Sequence, residues 1–130
     1  MLERVHAGRD APDLASAWNR LGASLMAAGA TGAARDAWQT AVAMRERLYA
    51  GRDHPELAAS YNNLGRLAQV DGDTGAALRW YRRAHEMFVR LAGGAASLEA
   101  AASANNLGAV HYARGEYRDA LARFEEVLSV

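Results

Sequence analysis

The stretch YNNLG at residues 61–65 returns as WNRLG at 18–22 and as ANNLG at 104–108. The interval is constant, because Gly22, Gly65 and Gly108 stand 43 residues apart. A fixed period of this size marks a repeat architecture, in which each unit buries its apolar face only against its neighbours. Further columns keep the register. Gly29, Gly72 and Gly115 agree, as do Ala34, Ala77 and Ala120. Trp38, Tyr81 and Phe124 follow four residues later, and then Ala41, Ala84 and Val127.

Each copy reads as a helix, a turn and a second helix, here called helix A and helix B. Pro12 and Pro55 suit the first turn of helix A, where a missing N–H costs nothing. In the third copy Ser97 can act as N-cap, with Glu99 at the positive end of the helix dipole. Gly29, Gly72 and Gly115 end helix A at a position that favours positive φ. Thr31, and Asp73 or Thr74, can then start helix B. Trp18, Leu21 and Leu25 share one apolar stripe of helix A. Gly22, Gly65 and Gly108 lie inside that helix, where glycine costs about 1 kcal/mol against alanine. Paying this three times implies a steric need. The expectation is a closely crossing helix, with Ala34, Ala77 and Ala120 as the matching small surface. The aromatics at 38, 81 and 124 are expected to be core knobs that lock helix B of one repeat onto its neighbours.

Composition narrows the function. The chain has 130 residues, is 51% hydrophobic and 23% charged, and so should fold. Fifteen basic residues balance fifteen acidic ones, which argues against a nucleic-acid binder. All fifteen basic residues are arginine and alanine occurs 31 times, a bias that points to a GC-rich, bacterial coding genome. There is no cysteine, hence no disulfide frame and no thiolate metal site. No apolar run approaches the ~18 residues of a membrane span, and MLERVHAGRD at 1–10 lacks a secretory signal's apolar core. A cytoplasmic protein without nucleic-acid or membrane partners is expected.

The columns resemble the tetratricopeptide repeat, with its W-x2-L-G-x2-Y, A-x3-F pattern. Trp18, Leu21, Gly22, Ala34 and Trp38 match in the first copy, and Tyr61, Leu64, Gly65, Ala77 and Tyr81 in the second. Leu107, Gly108, Ala120 and Phe124 match in the third. The family's Tyr column holds Leu25, Ala68 and His111, and the closing Pro is absent. The long period, with DHPELA at 53–58 and NNLG within the repeat, is similar to the kinesin-light-chain type. The resemblance implies an all-α fold, a right-handed α-solenoid of antiparallel helix pairs.

The repeats divide as 10–52, 53–95 and a truncated 96–130, after an end of a preceding repeat helix at 1–9. MLERVHAGRD agrees with MRERLYAGRD at 44–53 in seven of ten positions. The array is therefore expected to be part of a longer one.

In this family helices A line a concave groove, and the resemblance places the binding residues there: Asn19 and Met26; Asn62, Asn63, Arg66 and Gln69; Asn105, Asn106 and Tyr112. An asparagine offers both donor and acceptor, so a ladder of them one repeat apart can pair with the backbone of an extended peptide. The competing reading makes each asparagine a hydrogen-bonding staple between helices. The arginine row at 79, 82, 83 and 90, with Glu86 between, reads as a solvated face.

The leading function is a non-enzymatic module that binds a peptide or protein segment. The alternative is an assembly or regulatory segment of a larger bacterial signalling protein, acting by end-to-end repeat stacking, with self-association through uncapped ends. No catalytic residue, metal site or cofactor is expected. His6, His54, His85 and His111 occupy different repeat positions and form no ligand spacing. DGDTG at 71–75 lacks the frame of a phosphate-cradling loop and reads as an interhelical turn.

Overall fold

A computed structural model describes residues 11–129 of the chain. The expected helix end at 1–9, and residues 10 and 130 at the bounds of the expected repeats, lie outside the described residues. Among those residues there are six helices and no strand. They are α1 (Pro12–Ala27), α2 (Thr31–Tyr49), α3 (Pro55–Val70), α4 (Thr74–Ala92), α5 (Leu98–Ala113) and α6 (Tyr117–Leu128). Two compact units meet between Arg52 and Asp53. The first holds the α1–α2 pair, and the second holds α3 to α6, packed in succession.

Local chemistry sets the boundaries. Pro12 and Pro55 each open a helix with φ already fixed near the helical value. Ser97 caps α5 by accepting from the Ala100 N–H at 3.2 Å, and Asp73 caps α4 by accepting from Ala76 N–H at 3.0 Å. His54 does the same for α3, its Nδ1 accepting from the Glu56 N–H at 3.1 Å, a cap that no pattern in the sequence announced. Each A-to-B turn is alike. Gly72 takes φ +77°, its N–H donates to Gln69 O, and the Asp73 N–H reaches back to Ala68 O at 2.9 Å. Gly29 and Gly115 repeat the arrangement at φ +82° and +76°. The left-handed backbone satisfies carbonyls that the helix end leaves open.

The glycines inside helix A answer the expected steric need of a closely crossing helix, but the group that approaches differs from the one expected. A Cβ on Gly65 would lie 2.7 Å from the Tyr81 ring, and one on Gly108 would lie 2.6 Å from the Phe124 ring. A Cβ on Gly22 would collide with the Trp38 indole. The occupant is thus the flat face of the helix B aromatic, and not the small alanine column. Ala34, Ala77 and Ala120 are buried, but one turn away from that contact. The aromatics meet the second expectation in part, since Tyr81 also packs with Leu107 and Val110 of the next repeat, and they add a contact within the repeat. They lock helix B onto helix A of their own repeat, and Trp38 also donates its Nε1–H to Asn19 O at 2.9 Å.

Between repeats of the second unit, α5 lies on α4. Leu107 and Val110 join Ala68, Ala77, Leu78 and Tyr81 in one apolar cluster. The apolar stripe expected on α1 is only partly interior. Trp18 and Leu25 are half-buried, while Leu21 is 44% exposed although Leu107, its counterpart two repeats on, is fully buried. Leu107 has α4 beneath it; α1 is the first described helix.

Candidate peptide-binding surface

The predicted surface residues fall on helices A, and each unit is taken separately. In the first unit Asn19 and Met26 lie half-buried on α1. In the second, Asn62, Arg66 and Gln69 follow one face of α3 at i, i+4 and i+7. Asn105 and Tyr112 occupy the same line of α5. Arg66, Gln69, Asn105 and Tyr112 are exposed, and Asn62, Asn63 and Asn106 are half-buried.

Asn62 ties the two rows together. Its Nδ2 donates to Ser103 Oγ at 3.3 Å, and its Oδ1 lies 3.4 Å from the same hydroxyl. Ser103 is fully buried on α5, so Asn62 spans from one helix A to the next. That is the staple described above as the competing reading of the column. It fixes the spacing of α3 and α5 and leaves Arg66, Gln69, Asn105 and Tyr112 as the outward groups.

A polar group below the row steadies it. The Tyr81 hydroxyl donates to Gln69 Oε1, which holds that amide in place. Burial pushes the Tyr81 phenol up to about 12, while the Arg66 guanidinium works the other way. The third repeat has Phe124 and Tyr112 at these positions, and there Tyr112 stands edge-on to Tyr117 with ring centres 5.4 Å apart.

The arginine row of α4 is exposed, as expected of a solvated face, but two members are held. Arg90 forms a bidentate pair with Asp53 at 2.9 and 3.0 Å, and its hydrogen bonds hold the Asp53 carboxyl below the usual range. Arg83 lies over the Tyr61 ring at 4.3 Å and donates to its hydroxyl at 3.1 Å, beside the stacked Tyr61–Trp80 pair.

Two buried histidines escaped the sequence reading, because their partners come from another helix or the far side of a turn. His85 on α4 meets Glu126 Oε2 through Nε2 at 2.7 Å and Ala100 O through Nδ1 at 3.1 Å. His111 on α5 meets Glu116 Oε1 at 2.9 Å. Hydrogen bonds from His111 and then Arg114 hold the Glu116 carboxyl below the usual range. His111, Glu116 and Asp119 each bring a ligand-type atom within 4.8 Å of the others. The shared Glu116 oxygen already faces both His111 and Arg114 Nε, and both carboxylates stand at the positive end of α6, where the helix dipole accounts for them. The cluster is therefore read as the closure of the α5–α6 turn.

The model of the tetratricopeptide repeat family matches residues 13–88 and again 68–130. The chain belongs to the tetratricopeptide repeat family. The crystal structure of BtubC (BKLC) from P. vanneervenii superposes with a TM-score of 0.85 at 24% identity, over 97% of this chain and 51% of that one. A structure of kinesin light chain nearly identical TPR-like repeats from Podosopora anserina gives 0.70 at 21% identity, over 92% of this chain and 56% of that one. At such identities the likeness is one of fold, an all-α solenoid. The chain spans about half the length of these tetratricopeptide repeat structures. No curated protein matches it. Tetratricopeptide repeats are in general protein-interaction modules and typically non-enzymatic. Among the described residues no helix is long and apolar enough to cross a membrane.

Proposed function

We propose that the chain is a non-enzymatic interaction module that holds an extended peptide or protein segment along the outward row of its helices A. The observation that carries this is the division of labour in the second unit. Asn62 is spent on Ser103 of the next helix, while Arg66, Gln69, Asn105 and Tyr112 stand exposed on two helices that this bond holds at a fixed spacing. Gln69 is oriented beforehand by Tyr81, so less side-chain freedom is lost when a ligand binds. Asn19 and Met26 serve the same role in the first repeat, and Asn63 and Asn106 border the row.

Selection of binders from a random peptide library tests this. Retained peptides should lose at least tenfold in affinity, about 1.4 kcal/mol, on Arg66→Glu or Tyr112→Ala. They should keep it on Arg79→Ala, which changes the exposed arginine row of α4. Peptides that respond to the α4 change and ignore the helix A changes would overturn the reading.

A second role, assembly through exposed helix faces, is supported by Leu121 on α6. It is 59% exposed, where its counterpart Leu78 is buried.

A further inference from the structure

The exposed row of α5 extends beyond Asn105 toward the start of the helix. Leu98, Ala102, Asn105, Ala109 and Tyr112 follow at i, i+4, i+7, i+11 and i+14, and all five are exposed. The matching row of α3 is Pro55, Ala59, Asn62, Arg66 and Gln69. Pro55 is exposed although Asn62, two turns on, already meets α5, so this end of the row stays open with the next helix A in place.

Pro55 and Leu98, the first members of the two rows, border one cavity of about 440 Å³, within the ~300–1,000 Å³ range of ligand pockets. Phe88 and Leu91 of α4, with Ala95 and Ala96 of the α4–α5 loop, supply more of its apolar wall, and Glu99 is its charged member. Leu98 itself is 79% exposed. The loop explains the opening. One repeat earlier, Arg52, Asp53 and His54 stand where Ala95, Ala96 and Ser97 stand here. There Asp53 holds Arg90 and His54 caps α3. Two methyl groups thus replace two charged side chains, and a wall of this kind gains free energy when an apolar group displaces its water.

Charge marks a second point on the same surface. Arg66 is the one charged side chain in the two rows, and among the described residues no carboxylate pairs with it. It stands eleven positions beyond Pro55 on α3, a rise of about 16 Å at ~1.5 Å per residue. An extended chain advances ~3.3 Å per residue, so about five residues span that distance.

We infer that the cavity between Pro55 and Leu98 takes a large apolar side chain of the bound segment, and that a carboxylate about five residues away in that segment meets Arg66. The inference rests on the peptide reading above and names two features of its ligand and their spacing.

Sequencing the linear peptides that the 130-residue chain retains from a random displayed library tests it. Retained peptides should share a large apolar residue with Asp or Glu roughly four to six residues away. One of them, made synthetically and titrated by fluorescence anisotropy, should bind at least tenfold more weakly to Leu98→Asp. The same loss should follow from the double change Ala95→Arg with Ala96→Asp, which gives this loop the charged pair of the earlier one. All these positions are exposed, and far-UV circular dichroism confirms that each variant folds. Replacing the peptide's apolar residue by alanine should weaken binding to the wild type tenfold and change binding to Leu98→Asp little. Replacing its carboxylate by the amide should do the same for the wild type and for Arg66→Gln. Peptides that respond to Arg66→Glu or Tyr112→Ala, yet lack the apolar residue and bind Leu98→Asp unchanged, overturn the pocket and leave the peptide reading standing. A library that yields no peptide sensitive to any helix A change overturns both.

Discussion

Helices α4 and α6 carry the same pattern 43 residues apart, yet α4 buries Ala77, Leu78, Tyr81, Ala84, His85, Met87 and Phe88, while α6 buries Ala120 alone. Their inner contacts agree. Each lays an aromatic ring on a glycine of its own helix A, Tyr81 on Gly65 and Phe124 on Gly108. They differ on the outer side, where α5 covers α4. Burial in a repeat therefore has two sources. The A–B pair is locked by its own residues, and everything else depends on the next helix A.

The largest effect expected from this comparison is a split between equivalent leucines. Leu78→Ala should cost about 2–5 kcal/mol, whereas Leu121→Ala should stay within about 0.5 kcal/mol. Urea denaturation at low protein concentration measures both, and similar losses would break the distinction. Next come the glycines. Gly65→Ala gains about 1 kcal/mol of helix propensity but drives a methyl into the Tyr81 ring, and overpacking costs about 1–3 kcal/mol. A net loss on the order of 1 kcal/mol is expected. Gly75→Ala in the first turn of α4, with no neighbour closer than 3.7 Å, should be neutral or stabilising. Opposite signs for one substitution, read by thermal melting, would confirm that the ring is the obstacle. A smaller effect separates the two aromatics. Tyr81→Phe turns the second repeat into the third at this position and should cost about 0.5–1.5 kcal/mol, the value of one hydrogen bond. The same variant should leave Gln69 unheld and weaken any peptide that contacts it.

The smallest effect concerns the turns. The α5–α6 turn has His111 with Glu116, where the α3–α4 turn has Ala68 and Asp73. The folded state holds Glu116 below its ordinary range, so its contribution is present above that range and is lost as pH falls through the depressed folded value. Glu116→Gln should flatten the decline of melting temperature below about pH 5.

Much of the fold was legible because its causes are local and recur. Gly72 needs a left-handed turn, Pro55 needs a first helical position, and Ser97 needs a free N–H three residues on. Three copies in register turn such weak signals into a firm one. The steric need behind Gly22, Gly65 and Gly108 was legible but its source was not, since a glycine announces a close approach without naming the atom that approaches. Here that atom belongs to an aromatic 16 residues ahead in the same repeat. Leu21 was misjudged for a related reason. Its pattern matches Leu107, but pattern says nothing of whether a neighbour is present. The candidate surface was legible as a set of positions, not as a division of roles. Nothing in NNLG shows that Asn62 reaches Ser103, 41 residues away, or that Gln69 is held by Tyr81. Such partners follow only once the helices are laid side by side.

The most direct test of two-source burial is native-state hydrogen exchange of α4 and α6, read amide by amide at low protein concentration. The middle amides of α4 should open only near the global unfolding free energy, while those of α6 should exchange through a smaller, local opening. Equal protection of the two helices would contradict the claim that the covering helix, and not the repeat's own sequence, sets the order of helix B.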